Sequence, residues 1–469
     1  MVLMVYWALP GIRAKNLWLL LASLFFYAWG EIGFILLLLA SALVNFLLGL
    51  WVDRNKKTLN RKIAVSVAIV FNVGLLVIFK YGNLATDTIN WWLGLAGIHP
   101  LHASHIPLPL GISFFTFHAL SYIIDIYRRN WKAATNPGEV ALYIFFFPQL
   151  VAGPILRWNA IAPQLLHRTV RPDVFAEGVR RFVGGLAKKV LVANTVAQPA
   201  DQIFALPANE LSASVAWFGI VCYTLQIYFD FSGYSDMAVG MGKMFGFEFL
   251  ENFRFPYLSQ SIREFWRRWH ISLSSWFRDY LYLPLGGNRV SSGRNHLNLL
   301  IVFFLCGFWH GASLTFVVWG LYHGTFLVLE RTRFGIVLEK SPRPFRHLYA
   351  IFVIMMGWVL FRADTFGAAG KFFLALFGHA ASSATQPLAR YATDQVLWMQ
   401  VIGVCFSGPL WAWFKAQATK LGQMTPAPGR NIVLIAGSAF EILIVGALLL
   451  ISSAWLAGST YNPFIYFRF

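Results

Sequence analysis

Apolar runs of about 18 residues or more recur along the whole of this 469-residue chain, and each is long enough to cross ~30 Å of hydrocarbon as a helix. Lipid offers the backbone no hydrogen-bond partners, so a spanning segment must satisfy its own N–H and C=O groups. Only helices and closed barrels do so, and the period-two alternation of a barrel strand is absent. The sequence therefore predicts an all-α polytopic membrane protein. Charged residues make up 12% of the chain, against ~25% in soluble domains. That balance excludes a soluble nucleic-acid binder in spite of a net charge of +18. No polar linker, low-complexity tract or internal repeat interrupts the pattern, so residues 1–469 read as a single membrane domain.

The basic excess has a topological meaning, because cytoplasmic loops collect Lys and Arg. Arg54, Lys56, Lys57, Arg61 and Lys62 form one basic loop, whereas residues 81–106 hold neither Lys nor Arg. Residues 128–189 are basic, residues 201–210 are not, and residues 243–296 are basic again. Arg331, Arg333, Lys340, Arg343 and Arg346 return to the basic side. Residues 363–395 and the C-terminus then fall outside, with Lys371 and Arg390 as exceptions. Cys222, Cys306 and Cys405 are dispersed and give no disulfide or zinc spacing. His99, His102 and His105 sit in a non-basic loop and lack a fourth ligand, so no metal is expected there.

Two histidines lie in Phe265-Trp266-Arg267-Arg268-Trp269-His270-Ile271-Ser272 and in Gly307-Phe308-Trp309-His310-Gly311. An ionisable side chain at membrane depth is costly and marks a functional site by default. Arg294 and Arg331 belong to the same side, so residues 297–330 must dip inward and return, with His310 near the apex. Leu297 to Trp309 rises roughly 20 Å at ~1.5 Å per residue, short of a full crossing. His310, with Trp309 lining the same space, is thus expected deep in the membrane and reached from the cytoplasm. Gly307 and Gly311 permit a close backbone approach or a break in the helix.

Residues 259–282 read as one amphipathic helix. At ~100° per residue, Phe265, Trp269, Leu273, Trp276 and Tyr280 share a face, and Arg263, Arg267, His270, Ser274 and Arg278 share the opposite one. Guanidinium forks suit phosphate oxygens, although an interfacial helix meeting lipid headgroups has the same pattern. Leu285-Gly286-Gly287-Asn288-Arg289 is a turn that adds backbone donors and a further Arg. Asp230, Tyr234 and Asp236, at the inner end of a membrane run, either line a cavity or lock helices together. His118, seven residues before Asp125, is expected to pair with it on one helix face. His323 reads as a satisfied helix–helix contact, and Cys306 as an inert buried thiol rather than a nucleophile.

Gly233-Tyr234-Ser235-Asp236, Trp266-Arg267-Arg268-Trp269-His270, Leu281-Tyr282-Leu283-Pro284-Leu285-Gly286-Gly287 and Phe308-Trp309-His310-Gly311 together resemble the membrane-bound O-acyltransferases, or MBOAT proteins. Phe146-Phe147-Pro148-Gln149-Leu150-Val151-Ala152-Gly153-Pro154 and the ending Pro463-Phe464-Ile465-Tyr466-Phe467-Arg468-Phe469 resemble the bacterial branch that acylates envelope polymers, with Arg468 in place of a glutamine. The resemblance implies about eleven membrane helices in a ring around a funnel, with re-entrant and interfacial helices. It places the family's catalytic histidine at His310 and its second motif histidine at His270. It also implies a bacterial inner-membrane location, acetyl-CoA or a carrier-protein thioester as donor, and no resident cofactor. Membrane lipids and periplasmic acetyltransferase proteins are the implied partners.

The activity so implied moves acetyl groups from cytoplasmic acetyl-CoA toward O-acetylation of an exported polysaccharide, alginate foremost, with cellulose, peptidoglycan or teichoic acid as alternatives. The donor phosphates would meet Arg263, Arg267, Ser274, Arg278 and Arg289. His310 would serve as general base or acyl carrier, an imidazole being suited to either. His270 would orient the donor or polarise its carbonyl. Tyr466 would relay the acyl group, or else anchor the chain at the interface. A polymer or lipid channel is the competing class, though the inverted repeats common in transporters are missing.

Overall fold

A computed structural model describes residues 1–102, 104–207, 209–379, 386–424, 427–459, 461 and 464. Every regular element among them is helical. Gly11–Arg54, Thr58–Leu95, Arg343–Arg362 and Ile435–Gly458 are long and apolar enough to cross a membrane. Ile112–Tyr127, Leu314–Leu329, Phe366–Leu376 and Asp394–Phe406 are shorter apolar helices. The chain is a multi-pass helical membrane protein. Its contacts fall into two compact units, one of Met1–Val179 with Ala238–Leu250, the other of Arg180–Met237 with the residues from Glu251 onward.

The first unit is organised by α1 (Gly11–Glu31), α2 (Ile35–Arg54), α3 (Thr58–Leu95) and α4 (Ile112–Tyr127). A hydrocarbon solvent gives apolar side chains no reason to associate, so close backbone approach and polar contacts between helices carry the packing. Gly49 supplies the first, since a Cβ there would lie 2.4 Å from the Tyr122 ring. Asn45 and Asn72 supply the second, each amide donating to the other at 3.1 and 2.8 Å. Arg61 donates to the carbonyls of Val52 at 3.2 Å and Tyr127 at 2.7 Å, closing the C-terminal ends of α2 and α4.

His118 and Asp125 do not pair with one another as the spacing suggests. His118 Nε2 accepts the Leu156 N–H at 3.2 Å, and Asp125 Oδ2 accepts the Asn159 N–H at 3.2 Å. Seven residues apart on α4, they face the same way and hold the stretch 154–157 and the first turn of the helix Trp158–Leu166, whose leading N–H groups have no intrahelical acceptor.

Pro172–Ala187, designated α5, and Ala213–Met244, designated α6, each have residues in both units, and they cross at Gly185 and Gly233, which belong to the second. A Cβ on Gly185 would lie 2.5 Å from the Gly233 carbonyl oxygen, and one on Gly233 would lie 2.7 Å from that of Gly185. This closeness brings the flanking charges within reach. Asp236 accepts from Arg181 at 2.8 Å and Lys188 at 2.6 Å, and Asp230 pairs with Lys189 at 2.6 Å. Glu251 also bonds to Arg181.

Ser292–His310, α9, and Leu314–Leu329, α10, form the two arms of a helical hairpin, where the charge pattern predicts one. α9 ends at His310. Gly307 meets the Phe316 carbonyl and Gly320 the Phe303 carbonyl, where a Cβ would stand 2.2 Å from the oxygen in each case. Arg331 bonds to Asn295 at the base of the arms.

Candidate functional site

His310 occupies the last position of α9 and is buried. Its ring meets Trp309 at 4.7 Å, Trp319 at 5.1 Å and Phe361 at 5.1 Å between centroids, with Phe316 at 6.4 Å. Trp309 is its chain neighbour, Phe316 and Trp319 come from α10, and Phe361 from Arg343–Arg362, α11. Gly311 follows with extended backbone (φ −171°), and a Cβ there would lie 2.4 Å from the Phe316 ring. The imidazole thus stands at the tip of the hairpin inside an aromatic box, where electrostatic interactions are poorly screened.

The segment around His270 departs from the expected single helix. Ile262–Arg268, α7, stops at Trp269, and Ile271–Phe277, α8, begins one residue after His270. His270 itself has left-handed backbone (φ 44°, ψ 54°). A non-glycine residue there costs about 1–2 kcal/mol and persists only where neighbours enforce it. The enforcement comes from residues 252–254. Arg254 N–H donates to the Arg268 carbonyl at 2.9 Å, and Ile271 N–H donates to the Asn252 carbonyl at 2.9 Å. These backbone groups are therefore engaged outside the helix they would have continued.

Asn252 also fixes the chemistry of the ring. Its Oδ1 accepts the Ser272 N–H at 3.2 Å and the Ser272 hydroxyl at 2.9 Å. A backbone N–H is always a donor, so this atom is the amide oxygen, and His270 Nδ1, 3.0 Å away, must donate to it. His270 Nε2 is left as the unprotonated acceptor. Burial pushes the imidazole down to about 3, so it stays neutral over the working range. A ring in this tautomer accepts a hydrogen bond but gives none from Nε2. Of the two roles open to His270, orienting a donor N–H fits and polarising a carbonyl does not.

The histidines have different surroundings. His270 packs on Phe231 at 4.6 Å and Phe253 at 6.5 Å. An aromatic series nevertheless links them, running from Phe253 to Trp269 at 5.0 Å, to Trp358 at 4.9 Å, to Phe361 at 5.7 Å and so to His310. Of the aromatic face predicted for residues 259–282, Phe265, Trp269, Leu273 and Trp276 are buried.

The arginine row is divided by the break. Arg263 is partly engaged, its guanidinium donating to the Glu330 carbonyl at 3.3 Å. The Glu330 carboxylate accepts the N–H groups of Ile262 at 2.5 Å and Arg263 at 2.9 Å, fastening the start of α7 to the end of the hairpin. Ser274 donates to the Trp269 carbonyl at 3.3 Å. Arg267, Arg278 and Arg289 are exposed, Arg278 pairing with Asp279 at 2.6 Å. Asp230 and Asp236 are held in the ion pairs described above, and Tyr234 stacks on Phe464 at 5.0 Å. Tyr466 lies outside the described residues. His323 is a helix–helix contact, set against Gly357 and Trp319, but neither ring nitrogen has a hydrogen-bond partner among the described residues.

Sequence reasoning missed Asn252, Glu330 and the Trp358–Phe361 pair. Glu330 carried a signal, as a lone acid at the end of an apolar run beside Arg331. Asn252 carried none.

The profile of the membrane-bound O-acyltransferase family matches residues 21–365. The probable alginate O-acetylase AlgI of Azotobacter vinelandii is 39% identical, covering 99% of this chain and 96% of the relative. The probable alginate O-acetylase AlgI of Pseudomonas aeruginosa is 44% identical over 79% of this chain and 71% of the relative. The peptidoglycan O-acetyltransferase of Helicobacter pylori is 35% identical over 82% of this chain and 80% of the relative. With the match spanning the broken His270 segment and the His310 hairpin alike, this chain belongs to the membrane-bound O-acyltransferase family and is an acyltransferase of that class.

Proposed function

We propose that the protein takes acetyl groups from acetyl-CoA on the cytoplasmic side of the bacterial inner membrane and passes them toward O-acetylation of an exported polysaccharide, alginate foremost. The observation that carries this reading is the buried imidazole of His310 at the end of a helical arm that enters from the basic side. The names of the relatives at 39% and 44% identity favour alginate over peptidoglycan. Arg267, Arg278 and Arg289 meet the phosphates of the donor, with Arg263 and Ser274 held beside them. His270 Nε2 accepts an amide N–H of the pantetheine arm and so orients the thioester.

His310 acts as the base. It removes the proton of the incoming hydroxyl as the oxygen attacks the thioester carbonyl carbon. Collapse of the tetrahedral intermediate breaks the C–S bond, and the proton passes from His310 to the departing thiolate. The products are an acetyl ester and CoA with a free thiol. The phenol of Tyr466 is the first acceptor, and a periplasmic acetyltransferase then carries the group to the polymer. Phe464, two residues before Tyr466, stacks on Tyr234, a contact that supports the relay over a lipid anchor.

Purified protein in nanodiscs is expected to release thiol from acetyl-CoA in a His310-dependent manner. Release of equal size from His310→Ala would reject the mechanism. Alginate from cells lacking the gene should lose its acetyl esters, and unchanged esters would reassign the polymer.

A further inference from the structure

Tyr461 and Phe464 each meet residues far away in the sequence. The Tyr461 hydroxyl donates to Asp201 Oδ2 at 2.6 Å. The other carboxylate oxygen accepts from Arg362 Nη2 at 2.8 Å, and the Arg362 side chain is only 9% exposed. Arg362 also lies 5.3 Å from the Phe204 ring, which stacks on Phe372 at 4.2 Å. Three residues beyond Tyr461, Phe464 stacks on Tyr234, and Lys189 lies 5.9 Å from the Phe464 ring. The charge alternation places residues 201–210, the end of α11 and the C-terminus on the same outer side, and this one carboxylate joins all three.

An aromatic anchor at a membrane interface needs neither a shielded ion pair nor a specific acceptor for its phenol. Here one Asp201 oxygen pairs with Arg362 and the other accepts a short bond from the Tyr461 hydroxyl. Such a bond fixes geometry, because the carboxylate cannot turn toward a new partner without leaving Arg362. Holding a nucleophile near its electrophile replaces an encounter by an intramolecular step, the largest rate term a positioning contact offers.

We infer that Asp201 is a positioning residue for the acyl-accepting tail: with Arg362 behind it, it latches Tyr461 and thereby holds the segment bearing Tyr466 in place to be acylated. The inference rests on the proposed role of Tyr466 as acceptor. Asp201 touches neither donor nor reacting atoms, and its effect is confined to the tail.

The test compares full-length wild type with Asp201→Asn, Tyr461→Phe and the double variant in nanodiscs. Three quantities are followed: acetyl on Tyr466 by mass spectrometry during acetyl-CoA turnover, His310-dependent thiol release with hydroxylamine as a small acceptor that needs no tail, and the rate at which carboxypeptidase trims the C-terminus. Each single variant is expected to acetylate Tyr466 about tenfold or more slowly and to be trimmed about tenfold or more faster. Thiol release to hydroxylamine should stay within about twofold of wild type, and the double variant should be no worse than either single one. Wild-type rates of Tyr466 acetylation in the variants would overturn the latch and leave the relay standing. A wild-type tail that never carries acetyl would overturn the relay and, with it, the positioning role assigned to Asp201.

Discussion

The two histidines are held by opposite means. His310 is positioned by shape, with aromatic rings on several sides and a helix that ends beneath it. His270 is positioned by hydrogen bonds, with Asn252 binding its Nδ1 and the backbone of residues 252–254 enforcing a conformation it would not otherwise adopt. Aromatic packing sets the place of a ring without itself deciding its tautomer. A ring held through one nitrogen has its tautomer decided and is limited to accepting at the other. The contrast supports the proposed division, with His310 as the base and His270 as the orienting group.

The sharpest way to break that assignment is His310→Ala, which should lower acetyl-CoA turnover by about 10²–10⁴-fold with the protein still folded. A loss of similar size in His270→Gln alone would reverse the roles. Next is Asn252→Ala, which frees the His270 ring and the Ser272 N–H and hydroxyl while leaving the backbone pairing of residues 252–254 in place. Turnover should fall by roughly 10²-fold, the scale of a small misplacement near reacting groups. If Asn252→Ala were neutral, the tautomer argument would have no functional weight.

A third test uses pH. Burial depresses His270 to about 3 from an unfolded value of ~6.5. The stability of the neutral ring is therefore whole above pH ~6.5 and is lost as pH falls from there toward 3. The drop in melting temperature between pH 7.5 and pH 5 should be smaller in His270→Phe than in wild type. The smallest effect belongs to the exposed arginines. Replacing Arg267, Arg278 and Arg289 together by alanine should raise the KM for acetyl-CoA by about tenfold at low salt, with kcat unchanged, and the difference should shrink as salt is added.

The hairpin was legible because charge and hydrophobicity are local quantities. Arg294 and Arg331 bracket an apolar stretch, and the chain has to return to the side it left. The burial of Phe265, Trp269, Leu273 and Trp276 was legible for the same reason. The break between them was not. No glycine or proline marks it, and its cause is a backbone pairing with residues 252–254 that no helical period reports. Asp230 and Asp236 were visible as costly charges, yet their partners on Arg181, Lys188 and Lys189 depend on a glycine crossing made in three dimensions.

The crossing of the hairpin arms has a further consequence. Where Gly307 and Gly320 meet the opposing carbonyls, no side chain lies between the arms, so neither arm can slide or tilt by repacking. The tip behaves as a rigid bracket. Any change in the space beside His310 must then come from swapping rings such as Phe316 and Phe361, one substituent at a time, while the bracket itself is closed to gradual change.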